Sequence, residues 1–158
     1  MAINFQDLWD AYPTMKQEPL FNKMGGGWPA LIGDKRYENT CTIRLSVAMH
    51  AIGSPPPADL VAADGKMKDG AGRGICIRVP TANKWLQGLL GNETWGMTKI
   101  PGTDLKPPLP DWTGILLYLV PGGIDAAGHV DLWNKGDCRV DCHVDYARDA
   151  TDLKLWRL

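Results

Sequence analysis

Glu38-Asn39-Thr40-Cys41-Thr42-Ile43-Arg44-Leu45-Ser46-Val47-Ala48-Met49-His50 reads as a loop that delivers a cysteine to the first turn of an amphipathic helix. A short side-chain oxygen on Asn39 or Thr40 can cap that helix by accepting from an orphan backbone N–H. Ile43, Val47, Ala48, Ala51 and Ile52 recur at helical spacing and are expected to face a core. Gly53, followed by Ser54-Pro55-Pro56-Pro57, stops the helix. Cys41 therefore sits where free N–H groups and the helix dipole favour negative charge, an environment expected to lower a thiol pKa. The same N–H groups could receive the oxyanion of an acyl-transfer reaction. The competing reading is a small buried apolar residue, the common fate of a free cysteine.

The rest of the composition narrows the class. A chain of 158 residues is expected to form a single domain, 1–158, with an ordinary core. The net charge of −1 gives no field for nucleic acid or anionic lipid. No apolar run approaches the roughly 20 residues of a membrane span. Met1-Ala2-Ile3-Asn4-Phe5-Gln6-Asp7-Leu8-Trp9-Asp10 has neither a basic region nor an apolar stretch, so no export signal is expected there. Cys41, Cys76, Cys138 and Cys142 include no CxxC pair, and His50, His129 and His143 do not complete a zinc set. No metal or cofactor is expected. Cys138 and Cys142 can close a small disulfide loop if the chain bends between them, but not across a straight strand.

The order of elements predicts an α+β architecture: helices first, then a mostly antiparallel sheet. A short helix over 4–12 is capped by Asn4 and ended by Pro13. A long loop over 53–73 follows the cysteine helix, then a strand over 75–79 and a helix from Pro80 to Leu90. After a loop over 97–112, the continuous apolar run 114–120 reads as a central strand. Residues 127–133 form the next strand, and Asn134-Lys135-Gly136-Asp137 turns the chain into a returning strand over 140–146. Residues 153–158 read as an edge strand.

A thiolate nucleophile needs a base within reach and a third group to orient that base. His129 opens a strand that can lie against the cysteine helix and is the candidate base. His50, roughly 13 Å along the helix from Cys41, is too distant. His143 is either an orienting group or a surface residue. Folding the hairpin about Lys135-Gly136 sets His129 opposite Asp141 or Cys142, which makes Asp141 the candidate acid. Asp137 and Asp131 remain alternatives, Asp131 because it shares a strand face with His129.

Asn39-Thr40-Cys41-Thr42-Ile43-Arg44-Leu45-Ser46 and Gly128-His129-Val130-Asp131-Leu132-Trp133, with the glycine-rich segment before the cysteine, together resemble the type VI secretion amidase effectors of the fourth family. The resemblance implies a papain-like cysteine peptidase fold, with a nucleophile helix packed on the sheet. It implies an antibacterial amidase that cuts the peptidoglycan peptide stem between D-glutamate and meso-diaminopimelate. It also implies a Cys41–His129–Asp triad, a Cys138–Cys142 disulfide and a cognate immunity protein that plugs the groove. Such a protein is made in the cytoplasm, secreted by a type VI system and active in the periplasm of the target cell. The alternatives are a cysteine acyltransferase on the same fold, or a non-catalytic wall-binding module that stacks sugars on Trp28, Trp95 and Trp112.

Overall fold

A computed structural model describes residues 2–103, 109–121, 128–142 and 148–158. The helix that carries Cys41 is α3 (Cys41–Ala51), preceded by α1 (Phe5–Ala11) and α2 (Gln17–Met24) and followed by α4 (Ala58–Ala63) and α5 (Val79–Leu90). Asn4 caps α1 by accepting from the Asp7 N–H, as its position before an apolar-periodic run predicts. The α3 helix is more deeply enclosed than an amphipathic pattern implies. Leu45, Ala48 and Met49 join a core with α1, α5 and one face of the sheet, while Ile43 packs into a second core with Phe21 and Trp28. Ala51, expected to face the core, is exposed.

The sheet has five antiparallel strands in the order β1 (Trp95–Thr98), β5 (Asp152–Arg157), β2 (Thr113–Leu119), β3 (Gly128–Asn134), β4 (Asp137–Cys138). The unbroken apolar run of β2 follows from burial on both faces. Ile115 and Leu117 pack toward the helices, whereas Leu116 and Tyr118 pack with Trp133, Leu153 and Leu155 on the far face. The register sets Tyr118 opposite His129 and Leu116 opposite Asp131.

Several sequence expectations are corrected here. Residues 75–78 form no strand; Gly74 makes only an isolated bridge to Lys68, and Val79 already opens α5. The ladder donors of that segment are taken by side chains: Cys76 N–H by Ser46 Oγ, and the N–H groups of Ile77 and Arg78 by the Asp64 carboxylate. The strand at the C-terminal end lies inside the sheet, between β1 and β2, rather than at its edge. β1 ends inside the segment read as a loop, taking in Met97 and Thr98, and α4 lies within the long loop over 53–73. The returning strand ends at Cys138 after pairing Trp133 with Cys138 and Asn134 with Asp137. The expected strand continued to Tyr146; residues 143–147, including His143, lie outside the described residues.

Gly128 starts β3 with φ +150°, and a Cβ built there would run into the carbonyl oxygen of Tyr118 on β2. Gly53, past the end of α3, has φ +80° but open space around it. We expect Gly128→Ala to cost more than about 3 kcal/mol, because backbone strain and a backbone clash add. Gly53→Ala should cost about 1–2 kcal/mol, from the left-handed conformation alone. Urea denaturation of the two variants checks this, and equal losses would contradict the β2–β3 register.

Candidate active site

The N-terminus of α3 docks against the start of β3. Asn39 makes the joint: its Oδ1 accepts from the Cys41 N–H at 3.2 Å, and its Nδ2 donates to the Gly128 carbonyl at 3.0 Å. One side-chain amide thus ties the helix that carries the cysteine to the strand that carries the histidine. Thr40 stands at the cap position without capping; its hydroxyl instead accepts from Arg44 Nε at 2.9 Å. The Tyr12 hydroxyl donates to the Cys41 carbonyl at 3.3 Å.

Cys41 is a free thiol, and it is buried. Burial is the largest influence on it and acts opposite to the helix dipole. N–H groups of Val130 and Thr42 and the Thr42 hydroxyl bond the sulfur and favour thiolate, yet the thiol is pushed up to about 11. The lowered thiol pKa expected at a helix N-terminus is therefore overridden by desolvation. Burial likewise raises the Tyr12 phenol, with the Asp131 charge acting in the same direction.

His129 is buried on β3, its ring 5.8 Å from that of Tyr118. Its Nε2 lies 2.7 Å from the main-chain carbonyl oxygen of Asp141. A carbonyl only accepts, so Nε2 carries a proton, and Nδ1 is the nitrogen that gains or loses one. The contact between His129 and Asp141 runs through the Asp141 backbone; Asp141 itself is exposed. Asp131, by contrast, is buried. It accepts from the N–H groups of Leu132 (2.7 Å), Val140 (3.0 Å) and Asp141 (2.9 Å), and its Oδ2 lies 3.9 Å from His129 Nε2. Asp137 is exposed on β4.

Cys138 and Cys142 are bonded, with their Cα atoms 5.2 Å apart. This small loop brings the Val140 and Asp141 amides to Asp131 and the Asp141 carbonyl to His129. Arg139 anchors it outward, donating to the Trp9 carbonyl at 3.0 Å with its guanidinium 4.9 Å from the Trp9 ring centre. A cavity of about 300 Å³ opens between these elements, lined by Tyr12, Asn39, Cys41, Arg44, His129 and Asp131.

The remaining sequence candidates lie elsewhere. His50 Nε2 bonds the Gly74 carbonyl at 2.7 Å, near the far end of α3. Cys76 is buried and free, its thiol pushed up to about 12 by desolvation. Trp28 is a core residue whose indole N–H donates to the Lys68 carbonyl, so it offers no sugar-stacking face. Among the described residues, no group of His, Cys, Asp and Glu is placed to hold a metal ion. Sequence reasoning treated Asn39 only as a cap and left Tyr12 and Arg44 out of the site; a cavity assembled from α1, α3 and β3 has no signature in local spacing.

The family model described as type VI secretion system (T6SS) amidase effector protein 4, Tae4, matches residues 37–156. The chain belongs to the Tae4 family of type VI secretion system amidase effectors. It is accordingly a hydrolase family member, and the matched span holds every residue of the cavity except Tyr12. Among solved structures, the Tae4–Tai4 effector–immunity complex from Enterobacter cloacae matches with a TM-score of 0.76 and 22% identity, over 100% of this chain and 99% of that one. The Tae4 effector from the same organism matches with a TM-score of 0.76 and 24% identity, over 100% and 98%. A Tae4–Tai4 complex from Salmonella Typhimurium matches with a TM-score of 0.75 and 22% identity, over 98% and 97%. At these identities the likeness establishes the fold. No curated protein sequence matches the chain.

Burial, aided by the Asp131 charge, outweighs the N–H donors and holds the Cys41 thiol protonated at neutral pH. In the native protein, iodoacetamide should label Cys41, which lines the cavity, and leave Cys76 unmodified. His129→Ala should move the pH profile of Cys41 labelling upward, because a neighbouring imidazole able to take the thiol proton is removed. Site-resolved mass spectrometry across pH reads this out. An unchanged profile in His129→Ala would show that the imidazole does not govern the thiol.

Proposed function

We propose that this Tae4 family member is a papain-like cysteine peptidase of the bacterial cell wall, formed by one domain. It cleaves the peptide stem of peptidoglycan between D-glutamate and meso-diaminopimelate. It acts in the periplasm of a target cell after type VI delivery and is neutralised by a cognate immunity protein, as the Tae4 relatives crystallised with Tai4 suggest. The observation that carries the reading is one cavity lined by a cysteine at a helix N-terminus and a buried histidine whose tautomer is fixed by its second nitrogen.

In this reading Cys41, His129 and Asp141 form the triad. The Cys41 proton passes to His129 Nδ1 as the sulfur attacks the amide carbonyl. The resulting imidazolium returns that proton to the departing amine as the C–N bond breaks, and water then hydrolyses the thioester. Asp141 orients the ring through its main-chain carbonyl, and the buried Asp131 carboxylate stabilises the imidazolium from 3.9 Å. In the resting site the Cys41 N–H is bonded to Asn39 and the Thr42 N–H to the sulfur, so an oxyanion at this end of α3 must take over donors already in use. A non-catalytic wall-binding module has less support, because Trp28 is core.

Release of stem peptides from purified peptidoglycan is the test. Cys41→Ala should abolish it, and His129→Ala should lower it by roughly three or more powers of ten. Asp141→Asn keeps the carbonyl and should be mild. Asp131→Asn removes a buried charge from the base and should cost roughly 10–100-fold. Wild-type release by Cys41→Ala would end the peptidase reading. A crippled Asp141→Asn beside a near-normal Asp131→Asn would reverse the roles of the two acids.

A further inference from the structure

Arg44 lies one turn after Cys41 on α3 and is 6% exposed. Helical side chains lean toward the N-terminus, which brings its guanidinium back over the first turn. There Nε donates to the Thr40 hydroxyl at 2.9 Å and Nη1 donates to the Pro13 carbonyl at 3.0 Å. Both partners are neutral oxygens. Among the described residues no carboxylate forms an ion pair with Arg44, and Nη2 donates to no protein group. Burying a guanidinium without an anion is costly. The side chain is held rigidly at the wall of the cavity that also contains Cys41 and His129. A planar guanidinium with a free edge, fixed by its other donors, is suited to a carboxylate.

We propose that Arg44 binds the free α-carboxylate of the D-glutamate on the acyl side of the scissile bond, and so makes the enzyme selective for stems bearing that carboxylate over α-amidated ones. This rests on the peptidase reading above. In a γ-linked glutamate the α-carboxylate stands a short aliphatic chain away from the carbonyl under attack. Helix neighbours three apart lie roughly 5–6 Å apart at Cβ, a separation comparable to that chain. An acyl carbon at Cys41 Sγ therefore brings the carboxylate to the Arg44 side of the cavity. The amide analogue lacks the negative charge and leaves the guanidinium buried without an ion-pair partner.

The test compares two synthetic peptides, L-Ala-γ-D-Glu-meso-diaminopimelate and its glutamate α-amide, with the full-length, disulfide-intact protein. Wild type should favour the acid by about 10–100-fold in kcat/KM, the scale of one charge-assisted hydrogen bond. Arg44→Gln should bring that ratio to about one, chiefly by raising KM for the acid. Arg44→Lys, which keeps the charge without the fork, should give an intermediate ratio. Equal hydrolysis of both peptides by wild type would overturn the proposal even if Arg44→Gln failed to fold. An equal loss on both peptides in Arg44→Gln would also overturn it, leaving Arg44 a strut between α3 and Pro13. If wild type cleaves neither peptide, the peptidase reading falls and this proposal with it; a wild type that cleaves both without preference sinks only the proposal.

Discussion

The Asp131 carboxylate is a buried charge, and the geometry around the histidine follows from how it is satisfied. A carboxylate removed from water needs donors at short range. Here they are the backbone N–H groups of Leu132, Val140 and Asp141. Two of these come from the chain beyond β4, so satisfying one side chain draws that segment across the edge of β3. Its bend turns the Asp141 carbonyl toward His129 Nε2. The Cys138–Cys142 bond closes the same segment into a small ring. So short a ring removes little chain entropy from the unfolded state, and its contribution is mostly to conformation.

On the helix side, the site is assembled by hydrogen bonds between neutral partners and groups whose charged forms are disfavoured. Asn39 joins α3 to β3, and Tyr12 and Thr40 hold the Cys41 carbonyl and the Arg44 guanidinium. Desolvation holds Cys41 protonated, and it also lowers the pKa of Arg44 against the opposing influences of Tyr12, Asp131 and Cys41. Such a site is poised for charge that arrives with substrate or develops in the reaction. A low local dielectric strengthens those interactions once water is excluded.

Much of this was legible in the sequence because it is local. A cysteine opening a helix, with Asn and Thr before it and Gly53-Ser54-Pro55 after it, places α3 correctly. The both-sided apolar run of β2 and the glycine-led strand of β3 are equally direct, as is the turn at Lys135-Gly136, where Lys135 has φ 52°. Burial was the missing quantity. The amphipathic reading of α3 could not foresee the second core formed by α2 with Trp28, because the partner is remote in sequence. The same enclosure reverses the thiol shift that a solvent-exposed helix terminus would produce.

The two places where expected strand pairing is absent among the described residues share a cause. Residues 75–78 are β-branched enough to pair, yet Asp64 takes the N–H groups of Ile77 and Arg78, and Ser46 takes that of Cys76. Beyond Cys138, a continued hairpin would have set His129 opposite Cys142 and Val140 opposite Asp131. Instead, Asp131 captures the Val140 and Asp141 donors, and the ladder stops. A charge-assisted bond to a buried carboxylate is stronger than the neutral ladder bond it displaces. Strand propensity ranks neutral backbone pairings and is blind to a carboxylate supplied from another element. In this chain both interruptions lie against α3: one behind it, where Cys76 meets Ser46, and one in front, where the Asp141 carbonyl meets the histidine. The breaks in strand pairing are therefore where polar contacts of the Cys41 helix and of His129 are made.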